Sequence, residues 1–267
     1  MDETRIQIIS DLHLEAPAAY DIFSITPRAP FLALLGDVGY VQDEGFFDFL
    51  SKQLAAFRVV FLILGNHEPY HSSWTETKAK LESFGGKVRG ASAGEAIGEL
   101  VVLDQTRYDI SPTVTILGCT LFSRVAQDQS DNVSFGLNDF YHIRNWSLES
   151  HQEAHRADLR WLNEEIDSIS QKEPGRKIVV LTHYCPSISK NVVDPRHENS
   201  KLSSGFMTDL SKEICWRCEK VILWAFGHTH FNCDFRDPGT GKRVLSNQRG
   251  YYFSQSTGFD SEKTVEL

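Results

Sequence analysis

The sequence predicts a layered α/β protein with a mixed sheet system. Three observations carry that reading. Short apolar, β-branched runs recur without clean alternation, amphipathic helical patterns lie between several of them, and two stretches read as strands with no helix between.

The runs are residues 6–9, 31–35, 59–64, 113–117, 178–181 and 221–226. Each has strand length, and the lack of alternation is expected of strands covered on both faces. Residues 46–57 carry a helical pattern, and residues 75–84 a weaker one. The clearest helix spans about 148–169, where Leu159, Leu162, Ile166 and Ile169 form one apolar stripe at three- and four-residue spacing. Ser147 stands where an N-cap would, and Pro174-Gly175 ends the connection before the next strand. Residues 101–117 and 243–253 read as shorter strands, which adds an antiparallel portion. With no internal repeat and no low-complexity linker, one domain over residues 1–267 is the simplest organisation.

The formal net charge of −9 makes the surface repel long polyanions, so extended nucleic acid is disfavoured as a partner. A small phosphate ester remains compatible where bound metal ions make the site locally positive. Five cysteines in a chain of this size argue against a disulfide framework, and the single C-x-x-C of Cys215 and Cys218 reads as two reduced thiols rather than a metal site. No basic, apolar leader precedes the first strand, and no apolar run approaches membrane-spanning length, so the expectation is a cytoplasmic protein without a membrane partner. Nothing in the sequence sets an oligomeric state.

The chemistry lies at the strand ends. The first strand runs into Asp11-Leu12-His13, the second into Gly36-Asp37, the third into Gly65-Asn66-His67-Glu68, residues 178–182 into His183, and the last into Gly227-His228-Thr229-His230. In open α/β sheets, loops at the carboxyl ends of strands converge in space. Glycine lets the backbone turn there so that the next side chain points inward. The expected cluster is Asp11, His13, Asp37, Asn66, His67, His183, His228 and His230. Imidazole and carboxylate donors suit Mn²⁺, Fe²⁺ or Zn²⁺, and eight such groups exceed the needs of one ion but fit two that share a carboxylate. In extended backbone, residues i and i+2 face the same side, so Asp11/His13 and His228/His230 each address one centre.

At these residues the chain resembles the calcineurin-like metallophosphoesterases, whose pattern of D-x-H, G-D-x-x-[DG], G-N-H-[DE], a single His and G-H-x-H recurs between Asp11 and His230. The resemblance implies a four-layer αββα sandwich of two mixed sheets flanked by helices, with a dinuclear site at one end of the sheets. It implies Asp11, His13 and His230 on the first metal, Asn66, His183 and His228 on the second, Asp37 bridging, and His67 off the metals facing substrate. There are departures. Phosphoprotein phosphatases have Asp three positions after the bridging carboxylate, pairing with the catalytic His, and an Arg after G-N-H-E. Here Tyr40 and the run Glu68-Pro69-Tyr70-His71 stand instead, which leaves His67 without an evident orienting partner. Asn138-Asp139-Phe140 and Asn247-Gln248-Arg249-Gly250-Tyr251 resemble segments of small bacterial and fungal members.

The expected reaction is hydrolysis of a phosphodiester or small phosphate ester by a metal-bridging hydroxide, with His67 as general acid. Phosphomonoester or phosphoprotein hydrolysis is the alternative within enzymes, and a non-catalytic binding scaffold is the alternative outside them. Asn138, Asp139 and Arg249 are candidate substrate contacts. Arg124, Arg144 and Arg196 are loop arginines read as surface charge, His151 and His155 as a solvated helix face, and His71 as a neighbour of the substrate loop. The cleft walls are expected from residues 15–30, 123–145 and 184–204.

Overall fold

A computed structural model describes residues 5–91 and 97–267. Its strands are β1 (Arg5–Ile9), β2 (Phe31–Leu35), β3 (Val59–Ile63), β4 (Glu99–Val102), β5 (Thr106–Asp109), β6 (Val114–Cys119), β7 (Lys177–Thr182), β8 (Val221–Phe226), β9 (Cys233–Arg236), β10 (Arg243–Ser246), β11 (Gly250–Tyr251), β12 (Ser254–Gln255) and β13 (Thr264–Glu266). The helices are α1 (Glu44–Ala56), α2 (Trp74–Ala91), α3 (Ser130–Gly136), α4 (Asp139–His142), α5 (Leu148–Lys172) and α6 (Ile214–Arg217).

Two mixed sheets result. The first has the order β13-β1-β2-β3-β4, with β1 to β4 parallel and β13 antiparallel on β1. The second has the order β5-β6-β7-β8-β10-β9, with a parallel centre and antiparallel edges at β5 and β9. The strands fail to alternate because both faces are covered. On β3, Val59, Phe61 and Ile63 point into a core shared with Val179, Leu181, Leu223 and Ala225 of the second sheet. Val60 and Leu62 point the other way, onto Phe46, Phe49, Leu50 and Leu54 of α1. The far face of the second sheet, through Val180, Trp224 and Phe226, meets Leu162, Ile166 and Ile169 of α5. The layers are therefore helix, sheet, sheet, helix, as the family resemblance implies.

Element ends differ more than element types. Helix α2 runs seven residues past its expected end, through Gly85 and Gly86. Each glycine costs about 1 kcal/mol against alanine in a helix, but Leu81, Phe84 and Val88 keep a face against the core. Ser147 caps α5, its hydroxyl accepting the Ser150 N–H. The buried stripe of α5 is longer and more polar than expected: His151, His155, Asp158, Leu162, Ile166 and Ile169. His151 and His155 are thus not a solvated face, which corrects the sequence reading. They continue the helical spacing into the core, where one ring nitrogen of each is hydrogen-bonded and the other is buried without a partner. His151 Nε2 accepts from Ser123 Oγ at 2.9 Å, and His155 Nδ1 donates to the Leu121 carbonyl at 2.9 Å. Among the described residues, no helix is long and apolar enough to cross a membrane.

Candidate metal centre

Every expected cluster residue leaves the carboxyl end of a parallel strand. Asp11 and His13 follow β1, Asp37 follows β2, Asn66 and His67 follow β3, His183 follows β7, and His228 and His230 follow β8. The two sheets present these ends at one edge of the sandwich. There the donor atoms of Asp11, His13 and His230 lie within 4.8 Å of one another, as do those of Asp37, His183 and His228. His13 Nε2 stands 2.9 Å from His230 Nε2, and His230 Nε2 is 3.4 Å from Asp11 Oδ1. His183 Nε2 is 3.2 Å from Asn66 Oδ1. Asp37 Oδ2 sits between the two groups, 3.9 Å from His13 Nε2 and 3.5 Å from His183 Nε2.

The local backbone differs from the expectation in an informative way. The D-x-H and H-x-H segments are not extended. Asp11 (φ 52°), His13 (φ 46°), Asp37 (φ 51°), His228 (φ 73°) and His230 (φ 51°) all lie in the left-handed region. Such conformations are costly for non-glycine residues and gather at functional sites where surrounding structure enforces them. The glycines divide their roles. Gly36 supplies a turn at φ 90°, whereas Gly65 is needed for space, because a Cβ there would overlap Asp37 Oδ1. The loops are then stapled by Glu68, which is fully buried and accepts N–H bonds from Asp37, Val38 and Gly65.

The partner for His67 that the sequence did not reveal is Glu15. Its Oε1 lies 2.9 Å from His67 Nδ1 and 3.1 Å from His13 Nδ1, with the carboxylate 2% exposed. The one hint in the sequence was an acidic residue two positions beyond the D-x-H pair. Tyr40 does not replace the missing Asp by charge; its ring stacks 6.2 Å from His67, outside Tyr70 at 4.4 Å. Tyr251 stacks on His13 at 4.2 Å and brings its hydroxyl to 3.5 Å from His67 Nε2.

The candidate substrate contacts take separate places. Asp139 is buried behind Asn66, accepting from Asn66 Nδ2 at 2.8 Å and from the Tyr70 hydroxyl at 2.7 Å. Asn138 is exposed on the cleft wall. Arg249 is buried and is not among the residues lining the cleft: its guanidinium donates to the Leu12 carbonyl at 2.9 Å and lies over the rings of Phe23 and Tyr252. Arg144 pairs with Glu76 and Arg196 with Asp194, while Arg124 is exposed. His71 packs its ring edge on Tyr40, and His142 packs on Tyr70. His197 reaches the cleft wall. All five cysteines are free, and among the described residues no three-ligand group includes one.

The electrostatics follow from burying opposite charges together. Burial pushes the Asp11 carboxyl up, but the hydrogen bond from His230 and the charge of His183 outweigh it and leave the group lowered. Asp37 is held well below the carboxylate range, because burial is again outweighed, chiefly by His183 and His67. Burial alone would depress His67 and His183. The field of Asp37 reverses this in both, aided by Glu15 at His67, and raises each to about 9. His228 falls well below its ordinary value through burial and the charge of His183. Buried carboxylates and imidazoles converging within coordination reach form a nitrogen–oxygen donor set suited to borderline divalent ions. The second ring nitrogens of His13 and His183 are already fixed, by Glu15 and by the Leu35 carbonyl at 2.7 Å. The residues therefore fit a pair of such ions.

Above the centre lies a cleft of 410 Å³, bounded by Leu137, Val192, Leu202, Phe206 and Tyr251 among others. Residues 123–145 and 184–204 supply walls as expected. Of residues 15–30, Glu15 reaches the centre, while Ala18, Tyr20 and Asp21 face a neighbouring cavity with Asp43 and Asp48, and none is among the residues lining the 410 Å³ cleft.

Comparison with known proteins agrees with this geometry. A family model described as calcineurin-like phosphoesterase matches residues 4–232. The chain is 26% identical over 264 residues to Uncharacterized protein L509 of Acanthamoeba polyphaga mimivirus, covering 92% of this chain and 91% of that protein. The crystal structure of phosphopantetheinyl hydrolase (PptH) from Mycobacterium tuberculosis superposes with a TM-score of 0.61 at 16% identity, covering 92% of this chain and 89% of that one. At that identity the likeness concerns the fold.

Proposed function

The chain belongs to the calcineurin-like phosphoesterase family, and on that premise we propose that it is a dinuclear, metal-dependent hydrolase acting on a phosphodiester, with His67 as the general acid. The family implies metal-dependent hydrolysis of a phosphoester. The observation that carries the rest is the convergence of two donor groups, Asp11/His13/His230 and Asp37/His183/His228, each within 4.8 Å, with one carboxylate between them.

Asp11, His13 and His230 would hold the first ion, His183, His228 and Asn66 the second, and Asp37 both. When bound, the two ions activate water and clamp the phosphate oxygens. The chain's own groups do the remainder. Glu15 accepts from His67 Nδ1 and thereby leaves Nε2 as the nitrogen that carries the transferable proton toward the cleft. Tyr70 stacked at 4.4 Å fixes the plane of the ring. Asp139 takes the amide N–H of Asn66, so the amide oxygen is the atom turned toward His183 and the second ion.

The diester preference is supported by charge. Among the described residues lining the cleft there is no lysine or arginine. A diester brings one negative charge to the ions, whereas a monoester brings up to two, and the raised imidazole of the wall, His67, is already paired with Glu15. The test is Mn²⁺-dependent turnover of bis-(p-nitrophenyl) phosphate against p-nitrophenyl phosphate. A kcat/KM at least tenfold higher for the diester is expected, and a preference for the monoester would overturn the assignment.

A further inference from the structure

Two cavities open from the metal centre and share Asp194, His197, Thr229, His230 and Tyr251. They are two lobes of one cleft, meeting beside the metal centre at His230 and Tyr251. Their walls differ in chemistry. The 410 Å³ lobe is faced by Leu137, Val192, Val193, Leu202, Phe206 and Met207. The 640 Å³ lobe is faced instead by Asn232, Ser254, Gln255, Ser256 and Thr257. Neither offers an uncommitted cation to a second phosphate. The first has no lysine or arginine among its described lining residues, and Arg196 in the second is bound to both oxygens of Asp194.

A phosphodiester carries two substituents that leave phosphorus in different directions, and two lobes diverging from one centre match that shape. We propose that the substrate is a phosphodiester with one apolar alcohol arm, seated in the lobe of Leu137, Leu202, Phe206 and Met207, and one neutral hydroxyl-rich arm in the lobe of Asn232 and Ser254. The proposal rests on the phosphoesterase reading above and adds the identity of the two arms. Desolvating an alkyl arm in the first lobe is worth up to about fourfold in kcat/KM per methylene, from about 0.8 kcal/mol per buried CH₂. Hydroxyl, amide and backbone groups of the second lobe can exchange hydrogen bonds with a polyol without any charged partner.

The experiment uses the Mn²⁺-loaded full chain and three alkyl glyceryl phosphates with methyl, butyl and hexyl arms, with product alcohols quantified by mass spectrometry. The expected result is kcat/KM rising at least tenfold from methyl to hexyl. Leu202→Asp and, as a milder second variant, Met207→Gln should each reduce the hexyl-to-methyl ratio at least fivefold. Equal rates for all three arms, or ratios untouched in both variants, overturn the arm assignment. Bis-(p-nitrophenyl) phosphate run in parallel separates the two failures. Turnover of it with a flat chain-length series refutes only the lobes, and no turnover of any ester refutes the phosphoesterase reading beneath them.

Discussion

Glu15 and His67 are joined through a 2.9 Å contact between Oε1 and Nδ1, and the same oxygen reaches His13 Nδ1 at 3.1 Å. One buried carboxylate therefore orients both the His13 imidazole, proposed to hold the first ion, and the imidazole that faces the cleft. Glu15 is itself held low, to about 2; burial opposes this, but hydrogen bonds from the two histidines prevail.

Glu15→Gln keeps an acceptor but removes the charge. At saturating Mn²⁺ it is expected to lower kcat about 10- to 100-fold on diesters with alkyl leaving groups, within the range a general acid supplies. On p-nitrophenolate, which needs no proton, the loss should stay within about threefold. Glu15 raises His67, so its loss should also shift the high-pH fall in rate to lower pH. A uniform loss across leaving groups, with no shift in the pH profile, would assign Glu15 to the metal ligand alone.

Metal content separates the two donor groups. His230→Ala should retain the second ion and His183→Ala the first, so each purified variant should carry about one equivalent by mass spectrometry. Asp37→Ala should lose both, because its Oδ2 lies within 4 Å of a histidine from each group. Two equivalents retained in Asp37→Ala would remove it as the shared ligand.

The layers and the cluster were legible in the sequence because strand-length apolar runs and ligand-type residues sit next to each other in the chain. Glu15 was not legible as the partner of His67, because the pairing depends on how the loop after β1 folds back against the loop after β3, a separation of 52 residues. His151 and His155 were misread for a related reason. The stripe on α5 looks complete at Leu159, and only the carbonyl of Leu121 and the hydroxyl of Ser123, both remote in sequence, show what the histidines satisfy. The left-handed backbone at Asp11, His13, His228 and His230 reached the expected convergence by a different route from the extended geometry inferred from spacing.

Asp139 fixes which end of the Asn66 amide turns toward His183. Asp139→Ala should leave the amide free to rotate and strand the Tyr70 hydroxyl. A loss of about 10- to 100-fold in affinity for the second ion is expected, typical of removing an outer partner of a metal ligand. Stepwise Mn²⁺ titration should show the first ion binding as before. An equal weakening of both ions would point to general disruption instead.

Protons and metal ions compete for His183. In the metal-free protein, burial disfavours the imidazolium, but Asp37 and Asp11 outweigh it and raise the group to about 9. Only the neutral ring binds a metal, so loading the second position must release this proton. Apparent affinity should climb between pH 6 and 9, by up to about tenfold per pH unit if one proton is displaced, and level off above. For stability the sign is the reverse. A folded value of about 9 lies above the ordinary 6.5, so the stabilisation is complete below pH 6.5 and is lost as pH rises through 9. His67, also raised to about 9, adds in the same direction. Metal-free protein should therefore melt at a lower temperature at pH 9 than at pH 6.5. Metal-loaded protein, whose His183 has already given up its proton, should show a smaller fall or a rise. Parallel melting curves with chelator and with Mn²⁺ measure both, and identical pH dependence in the two would show that His183 does not exchange its proton for a metal ion.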